Sequence, residues 1–145
     1  MHNLKEIINS KGDDVYSVRP DDTVEHALGV LLEHNIGAVL VLDDLGDLIG
    51  VFSERDFARH ALEHRAHIFD LRVETFMSRQ VRAVPEKTTI DEAMSYMTTG
   101  RMRHLPVYDN GRIAGVVSIG DVVKAVVDEK DVMIDQLEHY ISSSL

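Results

Sequence analysis

The chain has 145 residues, 44% of them hydrophobic, with 25 acidic against 15 basic side chains, a formal charge of −10 and no cysteine. That length fits one compact domain or two small halves sharing a core. The acidity excludes nonspecific DNA or RNA binding, which needs a basic surface against phosphate, and the missing cysteine excludes disulfides, thiolate zinc sites and cysteine nucleophiles.

In chain order, Met1 to Glu6 lacks a basic-then-apolar signal pattern, and the longest apolar run, Ala38 to Leu42, is far short of the roughly 20 residues that span a bilayer. A cytoplasmic protein with no membrane partner is expected. Val15 to Val18 reads as a short leading strand. Val24, Ala27, Leu28, Leu31 and Leu32 follow the apolar spacing of a helix that stops near Asn35 and Gly37. Two strands, Ala38 to Leu42 and Leu48 to Phe52, flank a polar turn from Asp43 to Asp47, and a second helix starts at Ser53 with Phe57, Ala58, Ala61 and Leu62 at helical spacing.

The segment from His64 to Arg79 leads to a second round of the same elements. Val81 to Val84 is a strand, and Thr89 and Glu92 form a capping box ahead of Ala93, Met94 and Met97, with Gly100 at the helix end. Leu105 to Tyr108 and Ile113 to Val117 flank Asp109-Asn110-Gly111, whose Asn-Gly favours a tight hairpin, and a helix begins at Ser118 with Val122, Val123, Val126 and Val127. The tail, with Val132, Ile134, Leu137, His139, Tyr140 and Ile141, predicts a further amphipathic helix that covers the module or mediates dimer contacts.

The two rounds are an internal repeat. Val18, Thr23, Val24, Ala27, Leu31 and Val41 meet Val84, Thr89, Ile90, Ala93, Met97 and Val107 at an offset of 66. Gly50, Val51, Ser53 and Asp56 then meet Gly115, Val116, Ser118 and Asp121 at an offset of 65. The expected division is an N-terminal segment 1–14, repeats 15–70 and 71–130, and a C-terminal helix 131–145. A unit of about 60 residues buries too little alone, so the copies are expected to pack face to face about a pseudo-twofold axis.

Chemistry concentrates at the second helix of each repeat. A Ser at a helix start stands beside free backbone N–H groups and the positive end of the dipole, which suit phosphate. The Asp three residues on lies on the same side, and its carboxylate can accept both hydroxyls of a ribose. Gly50 and Gly115 can let a flat base or sugar approach the backbone. The same Ser-x-x-Asp is equally a capping pattern, in which Ser accepts from the first turn and the acid favours the helix dipole. Both readings stand on these residues alone.

The motifs Gly50-Val51-Phe52-Ser53-Glu54-Arg55-Asp56 and Gly115-Val116-Val117-Ser118-Ile119-Gly120-Asp121 share the form Gly-apolar-x-Ser-x-x-Asp. Each follows an apolar strand, seen best in His104-Leu105-Pro106-Val107-Tyr108-Asp109. In these features the chain, from about Val15 to Lys130, resembles tandem CBS domain pairs. The resemblance implies an α+β fold of two β-α-β-β-α repeats, a Bateman-type module, and a non-enzymatic, nucleotide-responsive regulator with an adenine ligand such as AMP, ADP, ATP, NAD or S-adenosylmethionine.

It further implies ribose and phosphate contacts from Ser53, Asp56, Ser118 and Asp121. Base recognition falls to main chain and apolar residues at Ser17, Val18, Ile36, Gly37 and Ala38, and at Ala83, Val84, Met102, Arg103 and His104, with Pro106 in the same strand. Arg103 and His104 are candidates to meet the phosphates of a nucleotide held at Ser53 and Asp56. Their counterparts Gly37 and Ala38 carry no charge, so the site at Ser118 and Asp121 would draw on Arg55 or Arg101, and unequal occupancy is expected. A homodimer and an effector protein acted on in trans are the expected partners. The alternative is a ligand-free dimerisation or interaction scaffold.

Other constellations are weaker. His60, His64 and His67 would share one face of a continuing helix as metal ligands, but Arg59, Glu63 and Arg65 around them read as a solvated face. Asp43, Asp44 and Asp47 read as a turn, lacking the loop length and terminal Glu of a calcium hand. No nucleophile elbow, Walker A loop or dinucleotide fingerprint occurs.

Overall fold

The computed structural model describes residues 3–12 and 14–144, with the side chains of 143 and 144 not described. Met1, His2, Asp13 and Leu145, which fall in the expected segments 1–14 and 131–145, lie outside it. The chain divides into two compact units, residues 15–82 and residues 83–145 joined by 1–14.

The first unit contains β1 (Ser17–Val18), α2 (Val24–His34), β2 (Ala38–Leu42), β3 (Leu48–Ser53) and α3 (Glu54–His64), numbered after the N-terminal helix α1 (Leu4–Lys11). Its sheet runs β1-β2-β3, with β1 parallel and β3 antiparallel to β2. Thr23 caps α2 by accepting from the His26 N–H, and Asn35 ends it in the left-handed conformation that Asn tolerates. Val24, Ala27 and Leu31 face a core of Val39, Val41 and Phe52.

The second unit repeats the plan with β4 (Val84–Pro85), α4 (Ile90–Gly100), β5 (His104–Asp109), β6 (Arg112–Ser118) and α5 (Ile119–Ser144). Its sheet order is β4-β5-β6 with the same directions. Asn110 and Gly111, at φ 51° and 77°, make the two-residue turn between Asp109 and Arg112. That backbone twist matches the strands it joins.

Each sheet is completed by a segment from outside its expected boundary. In the first unit Val73, Phe76 and Met77, beyond residue 70, pack into the core. In the second, Leu4 and Ile8 of α1 do so, at 0% and 4% exposure. Burial of each such side chain contributes about 1.5–3 kcal/mol. The first unit thus begins at the expected edge 14/15 but runs past 70/71 to Arg82, and residues 1–14, instead of standing as a separate segment, close the second unit. The two closures are copies: Leu4, Ile7 and Ile8 meet Val73, Phe76 and Met77 at an offset of 69. The Leu4 N–H donates to Thr88 O at 3.0 Å as the Val73 N–H donates to Asp22 O at 2.8 Å.

The expected separate C-terminal helix is instead the continuation of α5, one helix of 26 residues. Nothing between Ser118 and Ser144 breaks it, because the stretch after Gly120 holds neither Gly nor Pro. Leu32 and Leu62, which keep the apolar helical spacing of their neighbours, are 85% and 83% exposed. A three-stranded sheet covers a narrower helix face than the apolar stripe offers. No helix among the described residues is long and apolar enough to cross a membrane.

Candidate functional site

In the first unit Ser53 ends β3 opposite Ala38, and the Glu54 N–H donates to Gly37 O at 3.0 Å. This bond ties the start of α3 to the segment ahead of β2. It brings Gly37, Ala38, Ser53 and Asp56 together. The second unit has the same stitch: Ser118 lies opposite His104, and the Ile119 N–H donates to Arg103 O at 2.9 Å, grouping Arg103, His104, Ser118 and Asp121.

Both Ser-x-x-Asp motifs are capping boxes. Asp56 donates its N–H to Ser53 Oγ at 3.2 Å, and Asp56 Oδ2 accepts from the Ser53 N–H and from the Ser53 hydroxyl, each at 2.9 Å. Asp121 donates its N–H to Ser118 Oγ at 3.1 Å while Asp121 Oδ2 accepts from the Ser118 N–H at 2.9 Å. Capping and binding need not exclude each other, since the cap uses Oδ2. Among the described residues Asp56 Oδ1 accepts nothing.

The repeats differ at this carboxylate. Lys11, the last residue of α1, donates to Asp121 Oδ2 at 2.7 Å and to Val116 O at 2.9 Å. The corresponding carbonyl of the first unit, Val51 O, accepts from the Ser78 N–H at 2.8 Å. Partial burial works to raise the Asp121 carboxyl, but the hydrogen bond and charge of Lys11 and the bonds from Ser118 outweigh it and hold it below the ordinary value.

Repeated strand, stitch and cap are what a family of two-copy modules requires, and a CBS domain family model matches residues 4–63 and 73–128. The chain belongs to the CBS domain family. It is similar to the CBS-domain protein ATU1752 of Agrobacterium tumefaciens, 42% identical with a TM-score of 0.80, covering 85% of this chain and 92% of that one. The CBS domain-containing protein CBSX3, mitochondrial, of Arabidopsis thaliana is 32% identical over 95% of this chain and 71% of its own length. The CBS domain pair of protein MJ0100, in complex with 5′-methylthioadenosine and S-adenosyl-L-methionine, shares the fold at a TM-score of 0.75 and 21% identity, covering 86% of this chain and 99% of that one.

The leading strands turn their valines inward. Val18 and Val84 are 3% and 2% exposed and belong to the two cores, while Ser17 is exposed and Ala83 half-buried. Ile36 and Met102 are partly buried against the cores, and Ala38 and Pro106 are buried within β2 and β5. Arg55 and Arg103 are exposed, and His104 is half-buried. Arg101 ends α4 in the left-handed conformation at φ 52°.

The glycines do not leave the expected room for a base. A Cβ on Gly50 would stand 2.6 Å from Met77 Sδ, and one on Gly115 would stand 2.5 Å from Ile8 Cδ1. The close approach they permit is used by the protein's own closing segments. The histidines also part company. Helix α3 stops at His64 because Arg65 turns back at φ 48°, leaving His67 in a 3₁₀ turn, and the rings of His60 and His64 pack 4.8 and 5.0 Å from that of Phe76. Among the described residues no group of three metal-ligating side chains forms. Asp43 serves its own turn, with Oδ1 accepting from the N–H groups of Leu45 and Asp47.

Sequence reading missed Lys11. The signal was there in the offset of 69 between the two closing segments, which carries α1 into the second repeat.

Proposed function

We propose that this CBS pair is a regulatory module that binds an adenosine-containing ligand, AMP, ADP, ATP, NAD or S-adenosylmethionine, and signals occupancy to an effector protein in trans. The observation that carries this reading is the Asp56 carboxylate. It is half-buried, fixed through Oδ2 by Ser53, and has Oδ1 unengaged among the described residues. A pair of vicinal hydroxyls is a matching donor. The adenosyl ligands of the MJ0100 pair support the ligand class. Regulation fits better than catalysis, because the Ser53 hydroxyl and the Asp56 carboxylate are engaged with each other and with the main chain in a helix cap.

Calorimetric titration with the five ligands tests it. Binding of at least one, weakened more than tenfold by Asp56→Ala or Asp121→Ala, is expected; no heat and no thermal shift with any ligand overturns it.

A homodimer is the second reading. Val123, Val127, Ile134, Leu137 and Ile141 stand on one side of α5, each at least half exposed, which favours a second apolar surface against them. Sedimentation of the full chain, monomeric at micromolar concentration, would remove that reading.

A further inference from the structure

The second repeat carries an ammonium where a ligand would be read. In the first repeat both groups bonded to Asp56 Oδ2 come from Ser53, and the hydroxyl can rotate toward a ligand without leaving a charge unpaired. In the second, Asp121 Oδ2 holds Lys11 Nζ at 2.7 Å across 110 positions of sequence. We infer that Lys11 is an internal competitor for ligand hydroxyls at Asp121, so that the first repeat fills and the second opens only in exchange for this tether.

The inference rests on the reading that the two aspartates receive ribose. Asp121 Oδ1, like Asp56 Oδ1, accepts nothing among the described residues, so the competition falls at Oδ2: hydroxyls that engage both oxygens of Asp121 must displace a charge-assisted bond, the stronger kind. The same ammonium also donates to Val116 O at 2.9 Å, a second bond that holds it beside the carboxylate. The first repeat has no such coupling, because Val51 O is satisfied by the main chain at Ser78, which is no ligand's competitor. Lys11 is exposed at 42% of its side chain and is followed by Gly12 at φ 104°, so it can leave without dragging the helix. Leu4 and Ile8 keep α1 in the core. Exchange at Asp121 therefore frees the last turn of α1 alone. Lys11 is thus a specificity-determining residue that makes two repeats of one motif unequal.

Titration of the full chain with AMP, and separately with S-adenosylmethionine, decides it. Wild type should bind one ligand per chain, and Asp56→Ala should remove that binding. Lys11→Met should add a second site or tighten a weak one by about tenfold, and Asp121→Ala on top of it should cancel the gain. Unchanged stoichiometry and affinities in Lys11→Met, weaker binding in it, or loss of the wild-type site through Asp121→Ala with Asp56→Ala harmless would each overturn the inference. Should Lys11→Met not fold, Lys11→Gln, which keeps a donor for Val116 O without charge, must show the same gain, and its absence overturns the inference equally. If no variant binds either probe, the adenosyl reading falls and this inference with it; binding by wild type without a Lys11 effect removes this inference alone.

Discussion

Lys11 and Asp121, at opposite ends of the sequence, form a 2.7 Å ion pair that ties the end of α1 to the first turn of α5. Asp56, the counterpart of Asp121, has no cation at this distance among the described residues. A carboxyl held below its ordinary value stays ionised in the folded chain where the unfolded chain has already taken up a proton. It contributes stability that is full above the unfolded value of about 3.9 and is lost as pH falls through the folded value. Urea midpoints of wild type and Lys11→Met should accordingly differ at pH 7 and converge as pH drops below 4. A gap that does not narrow at all as the pH falls below 4 would show that Lys11 acts through packing instead.

The N-terminal helix is expected to behave as part of the second repeat. Leu4→Ala removes a fully buried side chain and should cost about 2–5 kcal/mol in chemical denaturation, as a core substitution does. An exposed position such as Asn9 should change stability by no more than about 0.5 kcal/mol on substitution to Ala. A Leu4→Ala cost no larger than that of Asn9→Ala would detach α1 from the core.

Gly50→Ala and Gly115→Ala should differ in severity. At Gly115 the added methyl meets the end of one flexible side chain, Ile8, whereas at Gly50 it meets Met77 and also the backbone Ser78 O at 3.1 Å, which cannot step aside without breaking the Val51 bridge. Overpacking of about 1–3 kcal/mol is expected at Gly50 and less at Gly115. Adding Ile8→Val should recover part of the Gly115→Ala loss. Thermal unfolding of the three variants checks the order.

Ser53 and Asp56 share one capping box, so their losses should not add. Each alanine variant should cost about 1 kcal/mol, and the double variant clearly less than the sum. An additive double variant would mean that the two side chains act separately in the folded chain.

Truncation after Lys130 removes a stretch in which every described side chain is exposed. The unfolding midpoint of the remaining chain at low protein concentration should move little, within the range of surface changes, about 0.5 kcal/mol. A large drop would mean that this half of α5 is covered by something in solution.

Much of this protein is written in local pattern. Period, caps and turn residues placed both helices and both hairpin strands of each repeat, and the offset of 66 set them in register, because each of these signals acts over a few residues. The Ser-x-x-Asp motifs were legible for the same reason, along with their double meaning. What local pattern overstated was burial: Leu32 and Leu62 keep helical spacing but lie off the strip that the sheet covers. The glycines were read correctly as places of close approach and assigned to the wrong neighbour, since spacing does not say which segment arrives.

The sequence by itself determined a twice-repeated α+β unit, its caps and its paired carboxylates. Only the tertiary structure decided which segment closes each unit and which carboxylate is already engaged. Leu4 and Ile8 reach a sheet whose last strand, β6, lies more than a hundred residues on, and Lys11 reaches Asp121 with them. Such pairings are set by which apolar surface is left open once the local elements have formed, a property of three-dimensional packing that no short-range period records.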